Sequence, residues 1–176
     1  MLSNMYKPLA MIASKDQARP ILTGVNFTDK LAEATDGYKM AWYTYDKNEL
    51  TDDYPKGEIV PSEAILNGLK LAAKSPIGII VGKGVINTAN GNLTYNKLEG
   101  EYPATDKLVG QLKGKRAVRV MLDIRLLGEM LAAHKAAGDT QIILSIIDEG
   151  DTPSLKPVFI KGKELKSLLM PVRMGE

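Results

Sequence analysis

A segment plan that occurs more than once limits what this chain can fold into. Residues 58–74, EIVPSEAILNGLKLAAK, read as a short strand followed by a helix. Ser62 is the expected N-cap, and Glu63 falls in the first turn, where the helix dipole favours an acid. Ile65, Leu66, Leu69, Ala72 and Ala73 form an apolar stripe at helical spacing, and Pro76 stops the helix. Residues 117–138, AVRVMLDIRLLGEMLAAHKAAG, repeat the same plan: a strand AVRVM, Asp123 as N-cap, a stripe of Ile124, Leu127 and Leu131 with Leu126 and Met130 at its edge, and Gly138 as the stop. Aligned without gaps, Ser62 falls on Asp123, Ile65-Leu66 on Leu126-Leu127 and Lys74 on Lys135, which marks an internal repeat.

The strands after each helix match as well. IGIIVG, GVINT and NLTYNKL come after the first of these helices, the last two joined across Asn90-Gly91. TQIILSII, LKPVFIKG and ELKSLLMPV come after the second, with Pro157 best placed at an edge or bulge. Near the N-terminus MYKPLAMIASK can be a helix with Pro8 in its first turn, leading to the strands ILTGVNFT, LAEAT and YKMAWYTYD, with no leading strand before it. The expected fold class is therefore α+β. Three strand–helix–three-strand units lie near residues 1–47, 57–105 and 116–174, with antiparallel sheets carrying helices on one face and linkers NELTDDYPKG and TDKLVGQLKGKR. Two units make a natural domain, 1–110; the third, 111–176, is half of one, and its exposed edges should seek another subunit.

Chemistry is poorly supplied. Cysteine is absent, His134 is the only histidine and lies in an apolar helical stretch, and there is no P-loop, GxGxxG, HExxH or GxSxG. His134 reads as a packed or half-exposed structural residue, and the cluster DEGD at 148–151 as a solvated hairpin tip rather than a calcium site. No catalytic residue, metal or cofactor is expected. No run approaches a membrane span, the N-terminus lacks the form of a signal peptide, and a cytoplasmic location is expected. The net charge of +2 leaves a nucleic-acid partner to be decided by charge placement.

The most contact-capable stretch is EATDGYKMAW, residues 33–42. Asp36-Gly37 reads as a tight hairpin turn, yet it is flanked by Thr35, Tyr38, Lys39, Met40 and Trp42. From these residues alone, core and hairpin packing is the stronger explanation and a binding role the weaker.

Five motifs, in order, carry a resemblance. RPILTGV (19–25), ATDGYKMA (34–41), EIVPSEAI (58–65), LEGEYPATDKLV (98–109) and LLMPVRM (168–174) resemble segments of the bacterial DNA polymerase III β subunit, the sliding clamp family. The match covers the middle domain and the second half of the last domain, which implies the DNA-clamp fold at one and a half domains. The family's function implies a processivity factor without catalysis, which tethers polymerases or other DNA enzymes through their short peptides and holds duplex DNA without reading sequence. It also implies a homo-oligomer, a dimer or tetramer; a clamp-like adaptor or decoy that binds partner peptides without encircling DNA is the alternative, and an unrelated small α+β enzyme a distant third.

The resemblance also implies residue roles. The family's peptide groove falls on Leu22, Thr35, Gly37, Tyr38, Lys39 and Met40 on one bank, on Leu168, Met170, Pro171, Val172 and Arg173 on the other, and on Pro103, Lys107 and Leu108 between. Lys39 and Lys107 replace family arginines, keeping the charge but losing bidentate geometry. The DNA-facing cations would be Lys7, Lys15, Lys70, Lys74, Arg125 and Lys135 on outward helix faces, with Arg19 after the first helix. The linker adds Lys107, Lys113, Lys115, Arg116 and Arg119. Solvated surface lysines are the plain alternative for all of these.

Overall fold

The computed structural model describes residues 3–45, 52–72, 75, 78–112, 117–147 and 155–172. The chain divides into two compact units, Met1–Thr105 and Asp106–Glu176.

Unit 1 opens with α1 (Ser3–Ile12) and a 3-10 turn, Pro20–Thr23. The strands β1 (Gly24–Phe27), β2 (Leu31–Thr35) and β3 (Met40–Thr44) come next, then β4 (Glu58–Pro61), α2 (Ser62–Leu71), β5 (Ile79–Gly82), β6 (Val85–Thr88) and β7 (Gly91–Thr94). The sheets run in the orders β3-β2-β1-β4 and β5-β6-β7, all antiparallel. Thus β4, the leading strand of the second repeat, completes the sheet of the first. The repeats interlock rather than standing as separate units, because β1 offers four residue pairs to β4, Gly24↔Pro61 through Phe27↔Glu58.

Both helices press on one core. Tyr6, Leu9, Ala10 and Ala13 from α1 and its end, Ile65 from α2, and Val25, Phe27, Val60, Ile79 and Ile86 from the strands are all buried together. Each large aliphatic or aromatic side chain among them contributes about 1.5–3 kcal/mol by leaving water. Tyr6, Phe27, Tyr54, Tyr45 and Tyr43 form a chain of tilted and edge-on rings with centroids 5.1–5.8 Å apart. The helix α2 sits so close to β6 that a Cβ on Gly68 would lie 2.7 Å from Ile86 Cγ2.

Several expectations need correction. Pro8 is the sixth residue of α1, not in its first turn; the missing N–H is tolerated where Leu9, Ala10 and Tyr6 anchor the helix to the core. Pro61, not Ser62, is the N-cap of α2, and Ser62 is the first helical residue. The helix closes at Leu71, and Ala73 and Lys74 lie outside the described residues. The β6–β7 hairpin turns on Ala89-Asn90, with Gly91 already paired to Thr88.

Unit 2 contains α3 (Thr105–Leu112, from the unit boundary), α4 (Ile124–Ala136), β8 (Ile143–Ser145), β9 (Val158–Lys161) and β10 (Lys166–Leu169), in the sheet order β10-β9-β8. The expected linker thus carries a helix. Asp123 caps α4 as expected, accepting from the N–H groups of Arg125 and Leu126, and Gly138 ends it at φ +92. Pro157 precedes the central strand β9, where it breaks no rung. The segment AVRVM is not a strand; it holds one isolated bridge residue, Val120. Nor is the expected stripe the buried one. Ile124 is 83% exposed and Leu131 42%, while Leu127, Met130 and His134 face the small core of Val158, Ile160 and Leu169. DEGD lies outside the described residues.

Candidate partner-binding surfaces

The first sheet has two unlike faces. Cross-strand partners share a face, so Phe27, Ala32 and Tyr43 point into the core, and Asn26, Glu33 and Trp42 point outward with Thr35 and Met40. Residues 98–105 cross part of this outer face. Leu98 N–H donates to the Ile59 carbonyl at 2.9 Å, and Gly100, at φ +136, packs where a Cβ would meet Ile21 at 2.7 Å. Tyr102 Oη accepts from the Thr35 N–H at 3.0 Å, and its burial pushes the phenol above the usual range. Glu33, buried, accepts from Asn26 Nδ2 at 2.8 Å and from the Thr105 hydroxyl. This strap leaves Met40 half-buried and Trp42 47% exposed on the edge strand β3.

The hairpin that carries them is wider than an Asp-Gly turn. Thr35 pairs with Met40, and the residues between are organised by side chains. Asp36 Oδ1 accepts from the N–H groups of Tyr38 and Lys39, each at 2.9 Å, and Asp36 also pairs with the Lys39 ammonium. Thr35 Oγ1 accepts from Gly37 N–H at 3.1 Å and donates to the Lys39 carbonyl at 2.8 Å. The Lys39 ammonium first, then the two N–H groups, hold the Asp36 carboxyl well below the usual range. The turn proper is Gly37-Tyr38, with Gly37 at φ +94. Its tip leaves Tyr38 93% exposed, a large aromatic ring in water on a rigid loop. Leu22 is buried, and Pro103 is exposed.

In unit 2, β10 alternates in the same way. Ser167 and Leu169 face α4 and the core, while Leu168 and Met170, each 60% exposed, face out. Val172 is 36% exposed and donates its N–H to the Met121 carbonyl at 2.9 Å; Pro171 is half-buried. Lys107 and Leu108 are exposed on α3, and Arg173 lies outside the described residues.

Of the expected DNA-facing cations, Lys7, Lys15, Lys70 and Lys135 are exposed. Arg19 pairs with Asp16 at 3.1 Å and lies beside the hairpin: its Nη1 would be 3.2 Å from a Cβ on Gly37. Arg125 pairs with Asp123 at 3.0 Å. Arg119 is exposed; Lys74, Lys113, Lys115 and Arg116 lie outside the described residues.

His134 is the centre of a buried cluster. Its Nδ1 lies 2.7 Å from Asp139 Oδ2 and its Nε2 2.9 Å from Ser167 Oγ. The order of groups is that of a nucleophilic triad. Yet His134 is 2% and the Asp139 side chain 0% exposed, and Ser167 faces inward under α4. Asp139 also accepts from the N–H groups of Glu164 at 2.8 Å and Leu165 at 3.3 Å. Its carboxyl is held below the usual range by the Glu164 N–H first and His134 second. The cluster ties the end of α4 to the β9–β10 loop. Of the two structural placements the sequence allowed, packed or half-exposed, His134 takes the packed one. Asp139 and Ser167 were invisible to sequence reading, since nothing in their spacing points to it. Trp42 was visible: it alternates with Met40 along β3.

The architecture, helices over antiparallel sheets in interlocked repeats, is that of the DNA clamps. Residues 1–104 match the family model described as the DNA polymerase III beta subunit, central domain, and the chain belongs to that family. No curated protein sequence matches it. Among solved structures, the DNA polymerase III beta chain of Streptococcus pneumoniae is similar at 22% identity and a TM-score of 0.69, over 99% of this chain and 48% of that one. A putative beta subunit from Eubacterium rectale gives 15% and 0.74, over 99% and 49%; the Pseudomonas aeruginosa sliding clamp gives 19% and 0.67, over 98% and 50%. The chain therefore spans about half the length of these structures, and the clamp fold extends over both its units. Among the described residues no helix is long and apolar enough to cross a membrane.

Proposed function

We propose that this chain is a sliding-clamp-like replication factor, without catalysis of its own, that tethers DNA enzymes by holding short Leu- or Phe-bearing peptides. The observation that carries this is the β2–β3 hairpin, inside the family-matched region, which holds Tyr38 in water and leaves Met40 and Trp42 accessible on one face. In unit 2, Leu168, Met170 and Val172 form a second exposed apolar set suited to peptide contacts of the same kind. Methionines suit a surface that accepts several sequences, and aromatic anchors supply most of the energy at such contacts.

Duplex DNA is the second partner in this reading, held loosely through phosphates by Lys7, Lys15, Lys70 and Lys135. The adaptor reading keeps the peptide site and drops DNA. One observation favours it: Arg19 and Arg125 are already paired with their own neighbours Asp16 and Asp123. Salt dependence separates the two. If the four lysines meet phosphates, affinity for a duplex should fall on the order of 10²-fold between 50 and 200 mM salt. Absent binding, or binding indifferent to salt, rejects DNA contact and leaves the adaptor.

A further inference from the structure

The caps and buried positions of the second and third repeats correspond one residue away from the alignment suggested by sequence. The N-caps are Pro61 and Asp123, and the buried positions Ile65, Gly68 and Ala72 of α2 and its end correspond to Leu127, Met130 and His134 of α4. The offset also carries a backbone bond: Ile59 accepts from Leu98 N–H and Met121 from Val172 N–H, each at 2.9 Å. With the repeats in this register, two surfaces that are covered in unit 1 are open in unit 2.

The first is a helix flank. Ser62, Leu66 and Lys70 of α2 line a cleft against Ala10, Ala13 and Ser14 at the end of α1. Their counterparts on α4 are Ile124, Gly128 and Ala132, with Ile124 exposed and Leu131 beside them. This flank is more apolar than the one α1 covers, and Gly128 has no atom within 4 Å of where a Cβ would sit. The second is a strand edge. In unit 1, β4 is paired along its length with β1, the first strand after α1. The counterpart of β4, residues 120–123, forms no strand, and β8, the first strand after α4, is an edge strand with Ile143 62% and Leu144 47% exposed.

We propose that unit 2 pairs with unit 2 of a second copy across a two-fold axis, α4 against α4, with residues 120–123 of each copy added antiparallel to β8 of the other. One operation closes both surfaces, and it repeats the α1–α2 and β1–β4 contacts that already stabilise unit 1. A two-fold contact is self-complementary, so each strand edge is both donor and acceptor. The small residues Gly128 and Ala132 admit close approach of two antiparallel helices. The proposal stands on unit 2 alone and needs neither the peptide nor the DNA reading.

Light scattering on the full chain tests it. The expected mass is an even multiple of 19.2 kDa, halved by the double substitution Ile124→Glu, Leu131→Glu while the far-UV dichroism holds. The chain has no cysteine, so a second test is independent of those variants' folding: Gly128→Cys should give a disulfide-linked dimer on mild oxidation, and Lys83→Cys, in unit 1, should not. A wild-type monomer at 100 μM, a double variant that keeps its full mass, or no cross-link at residue 128 would each overturn the pairing.

Discussion

Replacing His134 with alanine is expected to destabilise unit 2 by about 3 kcal/mol, because it leaves the buried Asp139 carboxylate and the Ser167 hydroxyl each short of a partner. Unit 2 has little else to offset such a loss. Among the described residues its fully buried core is Val158, Ile160 and Leu169, against the much larger core of unit 1. Gly162→Val should act on the same cluster by volume, since a Cβ there would overlap the Asp139 carboxylate. Acid should do likewise. The Asp139 carboxyl titrates lower folded than unfolded, so its stabilisation is complete above the unfolded value of about 3.9 and is lost as pH falls through the lowered folded value. Thermal unfolding should show two transitions, with His134→Ala moving only the lower one. A single transition unmoved by His134→Ala would contradict this role.

Partner peptides should lose affinity as sharply. A peptide of the form Gln-Leu-x-Leu-Phe is expected to bind at micromolar strength, and Tyr38→Ala and Met170→Ala should each weaken it at least about tenfold. Tyr38 is 93% exposed, so its truncation removes no core packing and the loss reads as contact. The hairpin is rigid before any partner arrives, through Asp36 and Thr35, so little ordering opposes binding. Trp42→Ala, on the same face as Met40, should add a comparable loss. Anisotropy with a labelled peptide measures all three; unchanged affinity in Tyr38→Ala and Met170→Ala would place the peptide elsewhere.

Much of the fold was legible in local pattern. The Asp123 cap and the Gly138 stop are local, and local rules read them. What failed depended on tertiary partners. Ile124 and Leu131 have the spacing of a buried stripe, but only contact with a sheet decides which flank of α4 is buried, and Leu127, Met130 and His134 won that contact. Residues 117–121 have strand composition, but a strand needs an edge to pair with. The strap bonds, Tyr102 to Thr35 and Thr105 to Glu33, span 67 and 72 residues of sequence, beyond any window-based reading.

In the proposed function, partner peptides bind the outward apolar residues of the β2–β3 hairpin, and β10 presents a second apolar set of its own. The most direct measurement is the change in backbone amide NMR shifts on saturating the chain with the Gln-Leu-x-Leu-Phe peptide. The largest changes are expected at residues 35–42 and 166–172. Saturable binding that shifts only other residues, such as those of α4, would contradict it.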